Sequence, residues 1–312
     1  MKYYLKLIRV PNLLFLALMQ FLLHQAVIVS VLQLYGFEVS IGRELLVLIL
    51  ATVSIAAGGY VLNDYFDTKI DAINRPEKLI VGQKIEKKNV MRFYQALTAF
   101  GLGCGLSFSF MAKSSTLAFI FIVIPGLLWF YSSNYKRQFL VGNLAVAFCA
   151  MLSVLVVAIA EVAFLQKQYS DLIFQIFIPQ IIYTWIGGFA LFAFVLTWIR
   201  EIIKDMEDEK GDREVECRTM PIKWGIKNTK IFLYVLISLT IVALFFIGNF
   251  YIPFERMLSI RYIIFAVITP FIVLIYLIFK AKTPADFRQA SILSKIIMLL
   301  GVLYSVIFWY LI

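Results

Sequence analysis

Six aspartates in two runs of matched spacing carry the chemistry that can be read from this chain. The first run is NDYFDTKIDAINRP, starting at Asn63, with Asp64, Asp67 and Asp71 at i, i+3 and i+7. The second is REIIKDMEDEKGD, starting at Arg200, with Asp205, Asp208 and Asp212 at the same intervals. On one helix this spacing places the three carboxylates of a run on one face. Carboxylates without Cys or His companions favour a hard, oxygen-seeking ion such as Mg²⁺. Mg²⁺ keeps several waters and is commonly held by one or two carboxylates plus substrate phosphates. Basic residues lie close by in sequence: Arg75, Lys78, Lys136, Arg137, Lys204 and Lys210. Two carboxylate walls facing each other, flanked by such cations, would grip Mg²⁺–diphosphate, and Asn63 would add or orient a neutral oxygen. Acids near helix ends also cap helices or solvate a surface. Two matched runs, each beside basic residues, argue for more than that.

The elements that must position these acids are transmembrane. The chain has 312 residues, 62% hydrophobic and only 15% charged, with mean hydropathy +0.88. A soluble domain of this size carries roughly a quarter charged residues. The expected fold is all-α: a single polytopic membrane domain over 1–312, with nine transmembrane helices in one bundle and cytoplasmic cap loops. Apolar runs of spanning length (about 20 residues) occur at Asn12–Leu34, Glu44–Leu62, Val90–Met111, Leu117–Tyr131, Val141–Phe164, Ile173–Ile199, Ile231–Phe250, Ile260–Phe279 and Ser291–Leu311. The fourth is short and holds Pro125, so its limits are the least defined. Pro11, Pro179 and Pro270 sit near span starts, where proline disrupts least. The first run follows Lys2, Lys6 and Arg9 but is too long for a cleavable signal peptide.

Charge sets the orientation. With the N-terminus inside, 24 of the 29 Lys and Arg fall on inner segments. The outer five are Arg43, Lys113, Lys167, Arg256 and Arg261. The positive-inside rule then puts the N-terminus and both acid runs on the cytoplasmic side and the C-terminus outside. The formal net charge of +10 is loop charge, which points to anionic lipid headgroups and an anionic substrate, not to nucleic acid. The runs after spans two and six suggest a degenerate parallel repeat of about four helices. The 2–3 and 6–7 loops are long and charged enough to form a lid, with Gly82 and Gly211 as turn residues.

An apolar bundle with 29 Phe, 16 Tyr and 5 Trp below a diphosphate site suits a long hydrocarbon tail. Aromatic faces also stabilise cations, and Tyr60, Tyr65, Phe66, Tyr131, Tyr135, Phe194 and Trp198 are the candidate rings beside ordinary packing and interfacial roles. His24, the one histidine, is expected to pack or hydrogen-bond. Cys104, Cys149 and Cys217 form no CxxC pair, which argues against zinc or a disulfide framework. A transporter is disfavoured, because transport sites lie near the midplane on broken helices and often in inverted repeats.

These motifs resemble those of the UbiA-type intramembrane prenyltransferases, which have nine helices and Asp-rich motifs after helices two and six. The first motif, N-D-x-x-D-x-x-x-D, is met by Asn63, Asp64, Asp67 and Asp71, and continues into Ile73-Asn74-Arg75-Pro76. The second, D-x-x-D-x-x-x-D, is met by Asp205, Asp208 and Asp212. The stretch YSSNYKR, Tyr131 to Arg137, is similar to a third family element. Within the family, the second motif with Cys217-Arg218-Thr219-Met220-Pro221, and the opening RVPNLL, are similar to the branch that moves a geranylgeranyl group onto the free hydroxyl of geranylgeranylglyceryl phosphate. The chain departs from many members after Arg75-Pro76, where Glu77-Lys78 stands in place of a second arginine and a later proline is absent. Lysine keeps charge but not bidentate phosphate recognition, so the loop that helps define the acceptor site is expected to differ here.

The resemblance implies a prenyl diphosphate donor, a lipophilic acceptor and membrane lipids as partners, with Mg²⁺ as cofactor. It implies Asp64, Asp67, Asp205, Asp208 and Asp212 as metal ligands, and Asp71 as a further catalytic acid or base. Asn63, Arg75, Lys136, Tyr131 and Lys204 would bind the donor diphosphate. An aromatic quinone precursor is the alternative acceptor. A lipid phosphate would need a further basic group, for which Lys204, Lys223 and Lys295 are the candidates.

Overall fold

The computed structural model describes residues 2–250 and 256–312, with all their side chains except those of Lys78, Asp171, Leu172, Phe250 and Arg256. The candidate Lys78 side chain thus lies outside the described residues, as does that of Arg256. Among the described residues there is no strand, only helices and short turns. An all-helical fold follows from the solvent. Lipid offers backbone N–H and C=O groups no partners, so they must bond within each segment.

A short helix α1 (Lys2–Leu7) precedes α2 (Val10–Leu22), which runs through a π-helical turn at Leu23–Ile28 into α3 (Val29–Leu34). Pro11 sits in the first turn of α2, where its missing N–H costs nothing. There follow α4 (Glu44–Phe66), α5 (Thr68–Asn74), α6 (Lys87–Met111), α7 (Ser115–Ser133) and α8 (Val141–Tyr169). The rest is α9 (Ile178–Glu207), α10 (Glu209–Glu214), α11 (Met220–Phe250), α12 (Arg256–Tyr262), α13 (Thr269–Lys280) and α14 (Pro284–Leu311). A second π-helical turn, Ile263–Ile268, joins α12 to α13. α11 is kinked at Gly225, whose φ of 76° is one that glycine adopts without steric cost. α7 passes through Pro125 unbroken, so the short fourth run is a full helix.

Eight of these segments are long and apolar enough to cross a membrane: Val10–Leu34, Glu44–Phe66, Ser115–Ser133, Val141–Tyr169, Ile178–Glu207, Met220–Asn249, Met257–Lys280 and Pro284–Leu311. The expected span Val90–Met111 lies within α6, which is long enough but not among the eight. Its glycines and small polar residues dilute its apolar character and serve another purpose. A Cβ on Gly101 would come 2.8 Å from an Ile55 side-chain carbon and 3.1 Å from the Ala51 carbonyl oxygen. One on Gly105 would come 2.4 Å from Phe121. Small residues let α6 lie directly against α4 and α7, the packing by which helices associate where apolar burial is no driving force.

The chain divides into two compact units. The first comprises 1–136 and 152–190, the second 137–151 and 191–312. In the first, buried Leu7, Val61, Val81, Ile85 and Val90 form a cluster that seats α1 and the turn after α5. A polar ladder also ties this unit together. Gln20 donates to the Ser153 carbonyl at 2.8 Å and accepts from Thr52 at 2.7 Å. His24 Nε2 lies 2.9 Å from Glu161 Oε2, both fully buried, and Glu161 Oε1 accepts from the Ser40 backbone at 2.9 Å. His24 thus has the hydrogen-bonding role its sequence setting suggested. In the second unit, Leu196, Ile199, Ile203, Phe271, Leu274 and Ile297 belong to one large apolar core. A capping box of Thr283 and Asp286 starts α14.

Candidate functional site

Each acid run straddles a helix break. α4 ends at Phe66, Asp67 leaves helical geometry at φ −82° and ψ 2°, and α5 begins at Thr68. α9 ends at Glu207, Asp208 does the same at φ −96° and ψ 5°, and α10 begins at Glu209. The flanking bonds also match. Asp67 N–H donates to the Asn63 carbonyl and Asp71 N–H to the Asp67 carbonyl, at 2.9 and 2.8 Å. Asp208 N–H donates to the Lys204 carbonyl and Asp212 N–H to the Asp208 carbonyl, at 2.9 and 3.1 Å. Each run is therefore divided between two helices. The first acid of each run belongs to a long helix, the second to the break, and the third to a short helix. The shared geometry accords with a repeat.

In the first unit the structure brings Asn63, Asp67 and Lys136 together. Asn63 Nδ2 donates to Asp67 Oδ2 at 2.7 Å. Lys136 Nζ ion-pairs with the same oxygen and lies 3.4 Å from Asn63 Oδ1. Asp67 is 5% exposed, so this pairing offsets the cost of burying its charge. The turn Tyr135–Arg137 that carries Lys136 follows α7, at whose end Tyr131 is half-buried. Asp64 takes a partner that sequence reasoning did not nominate: Arg9 Nη2 donates to Asp64 Oδ1 at 2.7 Å. The Arg9 guanidinium also lies 5.0 Å from the Tyr60 ring centroid, a cation–π distance. Asp71 and Arg75 stand on the short α5 and at its end, with Arg75 N–H donating to the Asp71 carbonyl. Phe66 packs edge-on against Tyr65 and Trp129, which places two of the candidate rings beside the break.

In the second unit Asn143 Nδ2 donates to Asp205 Oδ2 at 2.8 Å. Asn143 is 7% exposed, on the first turn of α8. Lys204, expected on the donor diphosphate, reaches Glu201 at 3.0 Å, and Arg200 holds the other Glu201 oxygen at 2.7 Å. Neither Asn143 nor Glu201 figures among the residues expected from sequence. Asp212 is buried within α10, and its carbonyl accepts from Cys217 N–H at 2.9 Å. Gly211 lies inside α10 and does not turn the chain, whereas Gly82 does, at φ 83°. The segment after α5 is anchored at a turn. Gly82 N–H bonds the Ile85 carbonyl at 2.8 Å, and Val81 and Ile85 are buried. Among the candidate rings of this unit, Phe194 and Trp198 pack on each other.

The donor set fits Mg²⁺ and not a softer ion. Among the described residues no three His, Cys, Asp or Glu converge closely enough to hold a metal by themselves. Arg9 on Asp64 and Lys136 on Asp67 already supply positive charge at the carboxylate oxygens a metal would take.

Comparison with known proteins gives these features a family. Residues 13–300 match the UbiA prenyltransferase family. The chain belongs to that family and is an integral membrane prenyltransferase. It is 28% identical over 266 residues to the digeranylgeranylglyceryl phosphate synthase of Korarchaeum cryptofilum, covering 84% of each chain. Among solved structures it resembles a digeranylgeranylglyceryl phosphate synthase in membranes, with a TM-score of 0.60, 22% identity and 98% of each chain covered. It also resembles a UbiA homologue from Archaeoglobus fulgidus bound to GPP and Mg²⁺, with a TM-score of 0.56 and 16% identity, over 96% of this chain and 98% of that one.

Proposed function

We propose that the chain moves a geranylgeranyl group from its diphosphate to the free hydroxyl of geranylgeranylglyceryl phosphate, with Mg²⁺ as cofactor. The similarity to synthases of digeranylgeranylglyceryl phosphate supports the acceptor. The Mg²⁺ and GPP held by the A. fulgidus homologue support the cofactor and the donor class. The observation that carries the reading is the convergence of Asn63 and Lys136 on buried Asp67 beside Asp64. A neutral oxygen, carboxylates and an ammonium group are together what a metal–diphosphate needs.

Asp64, Asp67, Asp205, Asp208 and Asp212 would hold Mg²⁺. Bound there with the donor, it would neutralise the leaving diphosphate. Lys136, Arg75 and Lys204 would take diphosphate oxygens, and Tyr131 would donate a hydrogen bond to them. As the allylic C–O bond ionises, aromatic faces near the break, among them Tyr65 and Phe66, stabilise the cation. The acceptor hydroxyl attacks the allylic carbon and loses its proton. Asp71, or the departing diphosphate, accepts it. The charge bias of 24 Lys and Arg against five supports a cytoplasmic N-terminus and cytoplasmic acid runs, where both substrates' charged ends would sit.

Purified chain in lipid nanodiscs, given Mg²⁺ and geranylgeranyl diphosphate, tests this. Geranylgeranylglyceryl phosphate and dihydroxynaphthoate are offered as competing acceptors and products are read by mass. The ether lipid is expected. A prenylated naphthoate in its place would keep the transfer chemistry and refute the acceptor.

A further inference from the structure

Lys2, Leu5, Lys6, Arg9, Val10 and Pro11 line an open groove of about 650 Å³. Lys2 and Lys6 lie one turn apart on the same face of α1. Both are exposed, and neither has an ion-pair or hydrogen-bond partner among the described residues. Leu5, Val10 and Pro11 make the remaining wall apolar.

The groove has a fixed frame. Leu7, on the opposite side of α1, is fully buried against Val61, Val81, Ile85 and Val90. Tyr4 packs edge-on against Phe93 with ring centroids 4.9 Å apart. Between α1 and α2, Arg9 takes a left-handed conformation at φ 53°, which costs an arginine on the order of 1 kcal/mol. Its hold on Asp64 and its seat over Tyr60 keep it there. Arg9 therefore belongs to two places at once: it lines the groove and bonds a carboxylate proposed for the donor.

We propose that this groove binds the phosphate of the lipid acceptor, an inference that rests on the proposed function. The donor's charge is met by the acid runs and their metal. The acceptor's phosphate needs cations of its own, and Lys2 and Lys6 are two without counter-ions. In glyceryl phosphate the phosphate and the attacking hydroxyl are on adjacent carbons. A phosphate subsite must therefore adjoin the donor site, and Arg9 provides that junction. The apolar wall suits the glyceryl ether beside the phosphate. Two of the sequence's own candidates serve less well, since Lys204 bonds Glu201 and Lys223 lies over the Phe139 ring at 5.3 Å.

The test is steady-state kinetics of the full chain in nanodiscs of phosphatidylcholine alone, which present no net anionic headgroup. Wild type is compared with the double variant Lys2→Gln/Lys6→Gln. Exposed, unbonded lysines contribute little to folding, so both proteins remain intact. The acceptor KM is expected to rise about tenfold or more, the equivalent of one lost charge-assisted contact, while the donor KM stays put. Lys2→Arg/Lys6→Arg restores it. Calorimetric binding of geranylgeranylglyceryl phosphate without donor falls in parallel. An unchanged acceptor KM in the Gln variant, alongside normal wild-type turnover, would overturn the subsite alone. So would an effect that emerges only when phosphatidylglycerol is added, since the groove then contacts bulk anionic lipid. Wild-type chain that neither binds nor prenylates this acceptor would overturn the proposed function and the subsite with it.

Discussion

Asn143 Nδ2 donates a 2.8 Å hydrogen bond to Asp205 Oδ2, and both belong to one compact unit. The amide fixes one carboxylate oxygen and leaves the other available. Asn143→Ala removes a bond to a charged group that is worth about 1.5–3 kcal/mol where buried. The Mg²⁺ concentration for half-maximal transfer should rise at least about tenfold. Metal titration of diphosphate release checks this, and an unshifted midpoint would show that Asn143 serves packing only.

Lys136 meets Asp67 and Asn63 from the turn after α7. Lys136→Met leaves the buried Asp67 charge without its cation, so lower stability and lower transfer are both expected. Lys136→Arg should recover stability better than transfer, because a planar fork does not reproduce a point charge at one oxygen. Unfolding temperature and donor KM, measured on both variants, separate the two effects.

Gly105 faces Phe121 so closely that a Cβ would stand 2.4 Å from its ring. Gly105→Val should cost about 1–3 kcal/mol by overpacking. Gly103 has no atom within 4 Å of its would-be Cβ, so Gly103→Ala should be tolerated and, by helix propensity, slightly favourable. Thermal unfolding in detergent gives the order; equal losses at both positions would contradict the packing of α6.

His24 and Glu161 are both fully buried and 2.9 Å apart. Removing either partner, as in His24→Ala, strands a buried polar or charged group and should cost on the order of 3 kcal/mol. Simultaneous replacement by Leu and Met should cost less than either single change. Additive losses, read from a double-mutant cycle of unfolding free energies, would refute the pairing.

The acid runs were readable because charge is rare here, and carboxylates at matched spacing stand out from an apolar background. Their helix breaks were not. Neither Tyr65-Phe66-Asp67 nor Glu207-Asp208-Glu209 contains a glycine or proline to mark a stop. Asn143 is a neutral residue in an apolar run, and only tertiary placement brings it to Asp205. Arg9 was counted as inner-loop charge; its left-handed turn onto Asp64 depends on Leu7 anchoring α1, a contact across more than fifty residues of sequence. The fold class followed from hydropathy alone, while α6 shows its limit. A helix built for close approach trades apolar side chains for glycine.

Mg²⁺-dependent prenyl transfer is proposed to need both acid runs. Its most direct test measures product from geranylgeranyl diphosphate and geranylgeranylglyceryl phosphate in nanodiscs, for wild type, Asp64→Asn and Asp205→Asn. The wild-type chain should form the ether lipid with Mg²⁺ and not with EDTA. Each variant, still folded by its unfolding temperature, should lose at least about a hundredfold in rate, the scale of removing one electrostatic stabiliser. Wild-type-like turnover in either folded variant would contradict the account.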